Sequence, residues 1–228
     1  MARLASVAKA GYYPTPERVT EWIANHLRGD GEGGRLLDPC AGEGVAASHI
    51  AQTFRLESYG VELDYERATQ ASYRMDHIIA DDIDMAKISR EAFELLWLNP
   101  PYDVVQGKRL EHKFLTHCTQ FLAPDGILIY IVPRHVIGAK IAGYLAKHFH
   151  SLRAYRFPDP EFGDFRQIVV FGIKRAWASD DTTVDEEALH RACAGTLPVL
   201  TETPDENEQF LIPAPHAVPE FYFYAKNL

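Results

Sequence analysis

Three largely apolar runs, 93-FELLWL-98, 126-GILIYIV-132 and 167-QIVVFGIK-174, restrict the fold more than any other feature of this chain. A strand with one wet face alternates apolar and polar side chains. These runs do not alternate, so both of their faces must be covered. Helical patterns fall between them, at residues 16–28, 43–54, 65–74, 109–122 and 138–149. Four further strands are expected at 35-RLLDP-39, 57-ESYGVEL-63, 77-HIIA-80 and 151-SLRAYRF-157. The alternation predicts an α/β domain over residues 1–176, built on a mostly parallel seven-stranded sheet with helices on both faces. After Lys174-Arg175 the pattern gives way to a Pro-, Thr- and acid-rich extension, 177–228. It holds one short helical pattern (185-DEEALHRACA-194) and an aromatic run (221-FYFY-224), and it reads as an appendage or a loosely packed edge and not a second domain, with a solvated tail favoured.

The net charge of −9 is unevenly placed. Residues from 177 onward carry ten acidic and two basic side chains, whereas residues 100–175 carry eleven Lys/Arg against six Asp/Glu. The middle of the chain therefore suits a polyanion, and a solvated face of mixed charge is the alternative. Cys40, Cys118 and Cys193 show no CxxC spacing, which fits a reduced, cytoplasmic protein better than a disulfide framework. No apolar run approaches the ~20 residues of a membrane span, and the N-terminus lacks a leader pattern, so no membrane partner is expected.

The first strand runs into 40-CAGEGVAASHI-50, where Gly42 and Gly44 let the backbone turn tightly beside a ligand. The following helix aims its first N–H groups at that ligand. Glu62 ends the second strand about twenty residues later, where a carboxylate suits ribose hydroxyls, and Asp81 ends the third. Asp38, Glu62 and Asp81 together suit a cationic or neutral nucleoside better than a pyrophosphate. Singly, Asp38 also reads as a turn former and Asp81 as a helix cap.

The fourth strand stops at 99-NPPYD-103. Two prolines stiffen the segment and remove backbone donors. Asn99 Oδ1 and the Pro100 carbonyl are then two acceptors for one planar –NH2 group. Pulling on its hydrogens favours the tetrahedral nitrogen needed for attack, which stabilises charge as it develops. Tyr102, held by Pro101, can stack on the planar group and set its approach.

DPCAGEG, YGVELD, ADDID and NPPYD, in this order and at these spacings, resemble the class I S-adenosylmethionine-dependent methyltransferases, and among them the N6-adenine DNA methyltransferases. The segment 11-GYYPTPERVTEWI-23 is similar to the one that precedes their glycine loop, and the resemblance covers about residues 11–175. It implies a Rossmann-like fold and S-adenosyl-L-methionine as cofactor. It implies that Asp38 and the backbone of Ala41, Gly42 and Gly44 hold the methionine part, with Tyr13 and Thr15 from the N-terminal segment. Glu62 would take the ribose and Asp81 the adenine amino group. Asn99, Pro100, Pro101 and Tyr102 would carry the catalytic site. An aromatic ring on the target's other face would come from Phe162 or Phe165, with Phe162 favoured.

The family's sequence-specific members carry a recognition domain that has no counterpart in these residues. The expected nucleic-acid contacts are Gln106, Lys108, Arg109, Lys113, Arg134, His135 and Arg166, a weakly selective set, or one aided by a partner protein. DNA is the favoured substrate and RNA the alternative. Glutamine-amide methyltransferases share such a motif but bring a larger N-terminal domain than the fewer than 35 residues before the first strand. An inactive, cofactor-binding subunit is a further alternative. His112, His117 and Cys118 do not converge on one helix face, so no metal site is expected.

Overall fold

The structure, a computed structural model, describes residues 13–226 apart from residues 30 and 106. Its centre is a seven-stranded sheet: β1 (Arg35–Asp38), β2 (Glu57–Glu62), β3 (His77–Ala80), β4 (Phe93–Leu98), β5 (Leu122–Pro133), β6 (Phe149–Arg156) and β7 (Gln167–Lys174). The spatial order is β3-β2-β1-β4-β5-β7-β6, and only β7 runs antiparallel to its neighbours. This is the Rossmann-like class I methyltransferase architecture expected from the sequence. All seven predicted strands are present.

The apolar runs fail to alternate because successive residues serve two cores. Ile127, Ile129 and Ile131 of β5 pack in one cluster, while Leu128, Tyr130 and Val132 pack in the other. The first cluster is covered by α1 (Glu17–Asn25) and α2 (Val45–Phe54), through Val19, Ile23, Ala47 and Ile50. The second is covered by α4 (Leu110–Cys118) and α5 (Ala139–His148), through Leu115, Ile141 and Leu145. Between β2 and β3 lies α3 (Tyr65–Ala71), whose start is capped where the Asp64 carboxylate accepts from Arg67 N at 3.0 Å. A short turn of helix, α6 (Phe162–Phe165), precedes β7. No helix among the described residues is long and apolar enough to cross a membrane.

The extension differs from the solvated appendage expected of it. Its helix α7 (Thr183–Ala194) buries Leu189 and Cys193 in the second core. Leu200, Phe210 and Ile212 enter the first. Phe210–Leu211 pairs in parallel with Leu27–Arg28, which is why α1 closes at Asn25 and not at the predicted residue 28. The aromatic run supplies a strand, Phe223–Ala225, on Ala86–Ile88. Glu94, buried within β4, accepts from Arg35 N and His216 N at 2.7 Å each, so one carboxylate ties the extension to the sheet. The widely spaced apolar side chains that dock this strap have no helical or strand period, and so gave no local signal.

The strap makes a stability prediction. Phe210 is 3% exposed and stacks on Phe171 with ring centroids 5.2 Å apart. Phe210→Ala is expected to cost about 3–5 kcal/mol in urea unfolding. Trp177→Ala, at a side chain 85% exposed, should stay within about 0.5 kcal/mol. Equal, small effects at both positions would mean that the extension is not part of the fold.

Candidate active site

The strand order reverses between β1 and β4, and ligands of open α/β sheets lie beyond the strand ends at such a point. Here the β1 and β4 ends deliver the glycine loop and the Asn-Pro-Pro-Tyr segment side by side. A cleft along this edge is lined by Tyr13, Cys40, Glu62, Arg67, Asp81 and Asn99, among others. A smaller pocket lined by Thr15, Asp38, Ala41, Val45 and Asn99 adjoins it, and Cys40 and Asn99 belong to both.

The glycine loop is shaped by two left-handed residues, Gly42 (φ 56°) and Gly44 (φ 75°). A Cβ on Gly44 would also stand 3.1 Å from Met75 Sδ and 3.2 Å from Ala71 Cα, so the loop lies directly on the end of α3. Gly44 caps α2 with no side chain, which leaves the first-turn N–H groups of that helix directed at the smaller pocket.

The acids behave differently from one another. Asp38 is 3% exposed and accepts from Cys40 N at 3.0 Å, its one hydrogen bond among the described residues. Burial pushes its pKa up to about 7, partly offset by that hydrogen bond and reinforced by the nearby Glu62 charge. A buried carboxyl of this kind favours a cation placed in the pocket it lines. Glu62 is buried as well, but it is already paired. Its Oε1 accepts from Asp64 N at 2.8 Å and from the Arg67 guanidinium at 2.7 Å, and its Oε2 accepts from Gly42 N at 2.8 Å. With one bond on Oε2, that oxygen retains capacity for a ligand hydroxyl. Asp81 lines the cleft and turns one oxygen to Asp82 N at 2.7 Å. Arg67, absent from the sequence-based set, neutralises part of this acidic rim.

At the end of β4, Asn99 is held in one orientation. Its Nδ2 donates to the Tyr13 carbonyl at 2.7 Å and to Thr15 Oγ1 at 3.3 Å. A carbonyl only accepts, so the amide nitrogen must face the N-terminal segment and Oδ1 must face away from it. Oδ1 accepts from the Tyr102 hydroxyl at 2.8 Å, and Gln167 Nε2 donates to that hydroxyl at 2.7 Å. Gln167 is 4% exposed at the start of β7 and can only donate from that nitrogen, so the Tyr102 proton is directed onto Asn99. Burial raises the Tyr102 pKa and keeps that proton in place. Tyr13 stacks on Tyr102, with centroids 5.1 Å apart and planes 13° from parallel. Pro100 is buried beneath this arrangement and Pro101 lines the cleft. Cys40 is no nucleophile here: burial and the Asp38 charge raise its pKa and keep it a thiol.

The remaining candidates are more dispersed. Phe162 lies under the Arg156 guanidinium at 5.1 Å and lines a groove with Arg134, His135 and Arg166, away from the two pockets at Asn99. The Phe165 side chain and Gln106 lie outside the described residues. Arg134 turns to the end of α7, donating to the carbonyls of Cys193 and Ala194, and so anchors the strap. Lys108 and Arg109 are exposed on a hairpin that leaves Tyr102, and Arg166 is exposed at the end of α6. Gln167 and Arg67 escaped sequence reasoning, although a polar residue opening the apolar β7 run was the available signal for the first.

A family model described as an uncharacterised methyltransferase family (DUF6094) matches residues 1–214. The chain belongs to that family. Its methyltransferase fold recurs in distant solved structures. A predicted O-methyltransferase, Atu636 of Agrobacterium tumefaciens, is 19% identical with a TM-score of 0.51, over 75% of this chain and 96% of that one. The tRNA (m1A58) methyltransferase TrmI of Aquifex aeolicus is 15% identical with a TM-score of 0.53, over 73% and 72%. An RNA methyltransferase of Salinibacter ruber, solved with S-adenosyl-L-homocysteine, is 15% identical with a TM-score of 0.50, over 75% and 99%. No curated protein matches the sequence significantly.

Asp38 gives this methyltransferase a pH signature. The folded chain holds the Asp38 proton more tightly than the unfolded chain, whose aspartates titrate near 3.9. The stability from this group is therefore complete below about pH 4 and is lost as pH rises through about 7. Unfolding free energy of the ligand-free protein should fall by up to about 4 kcal/mol across that window. Asp38→Asn should remove this part of the slope, measured by urea titration at several pH values. An unchanged slope in the variant would refute the assignment.

Proposed function

We propose that the chain transfers a methyl group from S-adenosyl-L-methionine to an exocyclic amine of a nucleic acid, with N6 of adenine in DNA as the first substrate. The observation that carries this reading is the fixed amide of Asn99, whose oxygen is turned away from the N-terminal segment beside Tyr102. The cofactor supplies an electrophilic methyl group on a sulfonium.

The chain's own residues do the rest. Asp38 and the α2 N-terminus are complementary to an amino-acid end, with the carboxyl of Asp38 toward the ammonium and the helix N–H groups toward the carboxylate. Glu62 Oε2 suits a ribose hydroxyl, and Asp81 suits the adenine amino group. Asn99 Oδ1 and the Pro100 carbonyl accept the two hydrogens of the target amine as its nitrogen becomes tetrahedral. With the donor bound, the amine nitrogen held by Asn99 and Pro100 would take the methyl group as the donor's sulfonium became a neutral thioether, and the methylated nitrogen would release one proton to solvent. Tyr102 already spends its hydroxyl on Asn99, which helps fix the ring that the target meets. A target stacking on the ring face that Tyr13 covers would displace Tyr13.

The similar structures from Salinibacter ruber and Aquifex aeolicus are RNA methyltransferases, and an RNA amine is the alternative substrate. The same cations would serve either nucleic acid. For a duplex target the base must first leave the stack.

The test combines purified protein, methyl-labelled S-adenosylmethionine and panels of duplex DNA, single-stranded DNA and RNA, followed by nuclease digestion and mass identification of the nucleoside. Label is expected on adenine N6, and Asn99→Ala should lower kcat/KM by about 100- to 1,000-fold. Tyr102→Phe keeps the ring and loses the hydroxyl, and should cost about tenfold, the loss of one net hydrogen bond. Label found on protein and on no nucleic acid would overturn the reading, as would full activity of Asn99→Ala.

A further inference from the structure

A second concave feature lies on the other side of α4. One side of that helix sends Phe114 into the cleft that Glu62 and Asp81 line. Another sends His112, Lys113 and Thr116 into an open groove of about 510 Å³, completed by Gly107, Lys108, Arg109, Gly138 and Lys140. Four of its lining side chains are Lys or Arg, and none is acidic. On a chain of net charge −9, such a concentration of one sign is selective.

The four cations are not equivalent. Lys113 is held by Asp84 at 2.6 Å, and Arg109 reaches the buried Glu111 at 3.3 Å. Lys108 and Lys140 are exposed and form no ion pair among the described residues. They stand on different elements, Lys108 on the hairpin Val104–Val105/Lys108–Arg109 and Lys140 in the first turn of α5. Lys140 is close enough to His112 that its charge, added to burial, lowers the pKa of that imidazole. His112 is thus a neutral hydrogen-bonding group in a cationic trough.

The groove is joined to the reaction edge through the backbone. The hairpin begins two residues after Tyr102, and Leu110 N closes it on the Asp103 carbonyl at 2.9 Å. A ligand lying in the groove therefore touches the hairpin that directly follows the Asn-Pro-Pro-Tyr segment. Its chemistry must be anionic at more than one point, because the two unpaired lysines sit on separate walls. It must also be extended, because the groove is an open trough.

We infer that this groove carries the phosphodiester backbone of the nucleic-acid substrate, with Lys108 and Lys140 as the two cations that neutralise phosphates. The inference rests on the nucleic-acid reading above and adds the path of the strand. Lys113 and Arg109, pinned by their carboxylates, shape the trough and contribute less to counterion release.

The experiment uses the full chain and fluorescein-labelled 20-nucleotide single-stranded DNA and RNA, with anisotropy read across a salt series. Each neutralised phosphate contributes about 0.7 to the slope of log K against log salt on single strands. The double variant Lys108→Ala/Lys140→Ala is expected to lose about 1.4 from that slope, and about tenfold in affinity near physiological salt. Lys87→Ala, at an exposed lysine on the Ala86–Ile88 strand that does not line the groove, should keep the wild-type slope. A wild-type slope in the double variant would overturn the groove assignment while leaving methyl transfer to nucleic acid intact. A lysine-dependent slope without label transfer to any nucleic acid would leave the groove standing and overturn the proposed reaction. No binding to either oligonucleotide at low salt would overturn both.

Discussion

Everything at the reaction edge depends on β4 being buried on both faces. All six of its residues are buried, so the strand can sit only at the centre of the sheet, between β1 and β5. That position puts its carboxyl end beside the glycine loop at the point where the strand order reverses. Asn99 is then the first residue past a buried strand that is apolar except for Glu94, with Pro100 and Pro101 preventing the chain from continuing the ladder. The site is therefore a by-product of central burial. Any strand order that moved β4 to an edge would expose apolar side chains of this strand and separate the amide from the loop.

Hydrogen bonds across long sequence separations finish what burial begins. Asn99 is oriented from residues 13 and 15, and Tyr102 from residue 167. The strands and most helix positions were legible in the sequence, since periodicity and caps report local geometry. The glycine loop, the strand-end acids and the Asn-Pro-Pro-Tyr segment were legible as a set, because they fall at strand ends in a fixed order. The partners of those groups were not. Nothing in the run 167-QIVVFGIK-174 says that its glutamine meets a tyrosine 65 residues earlier. Phe162 and Arg134 show the same limit: each stands near the reaction edge in sequence terms, yet one packs under Arg156 and the other holds the strap.

Charge counting also needed the structure. The basic excess of residues 100–175 is largely spent inside the protein. Lys147 and Arg175 meet the extension's Asp180 and Asp185, Lys174 meets Glu91, and Arg156 meets Asp159. Arg153 lies over the Phe210 ring at 5.5 Å, and Arg134 caps a helix. The acidic extension thus neutralises cations on the far side of the domain as it wraps it. Among the described residues, Lys108 and Lys140 form no ion pair and share one groove, which is more informative than the raw excess.

The attachment of Asn99 to Tyr13 and Thr15 couples two parts of this edge. Pro14 and Thr15 form part of the wall of the pocket that Asp38 lines, and the same few residues hold the amide nitrogen. The strip of chain that walls the pocket is thus also the strip that aligns the amide. A change of shape there reaches the pocket and the acceptor oxygen together, so the two are tuned by one segment and not by separate ones.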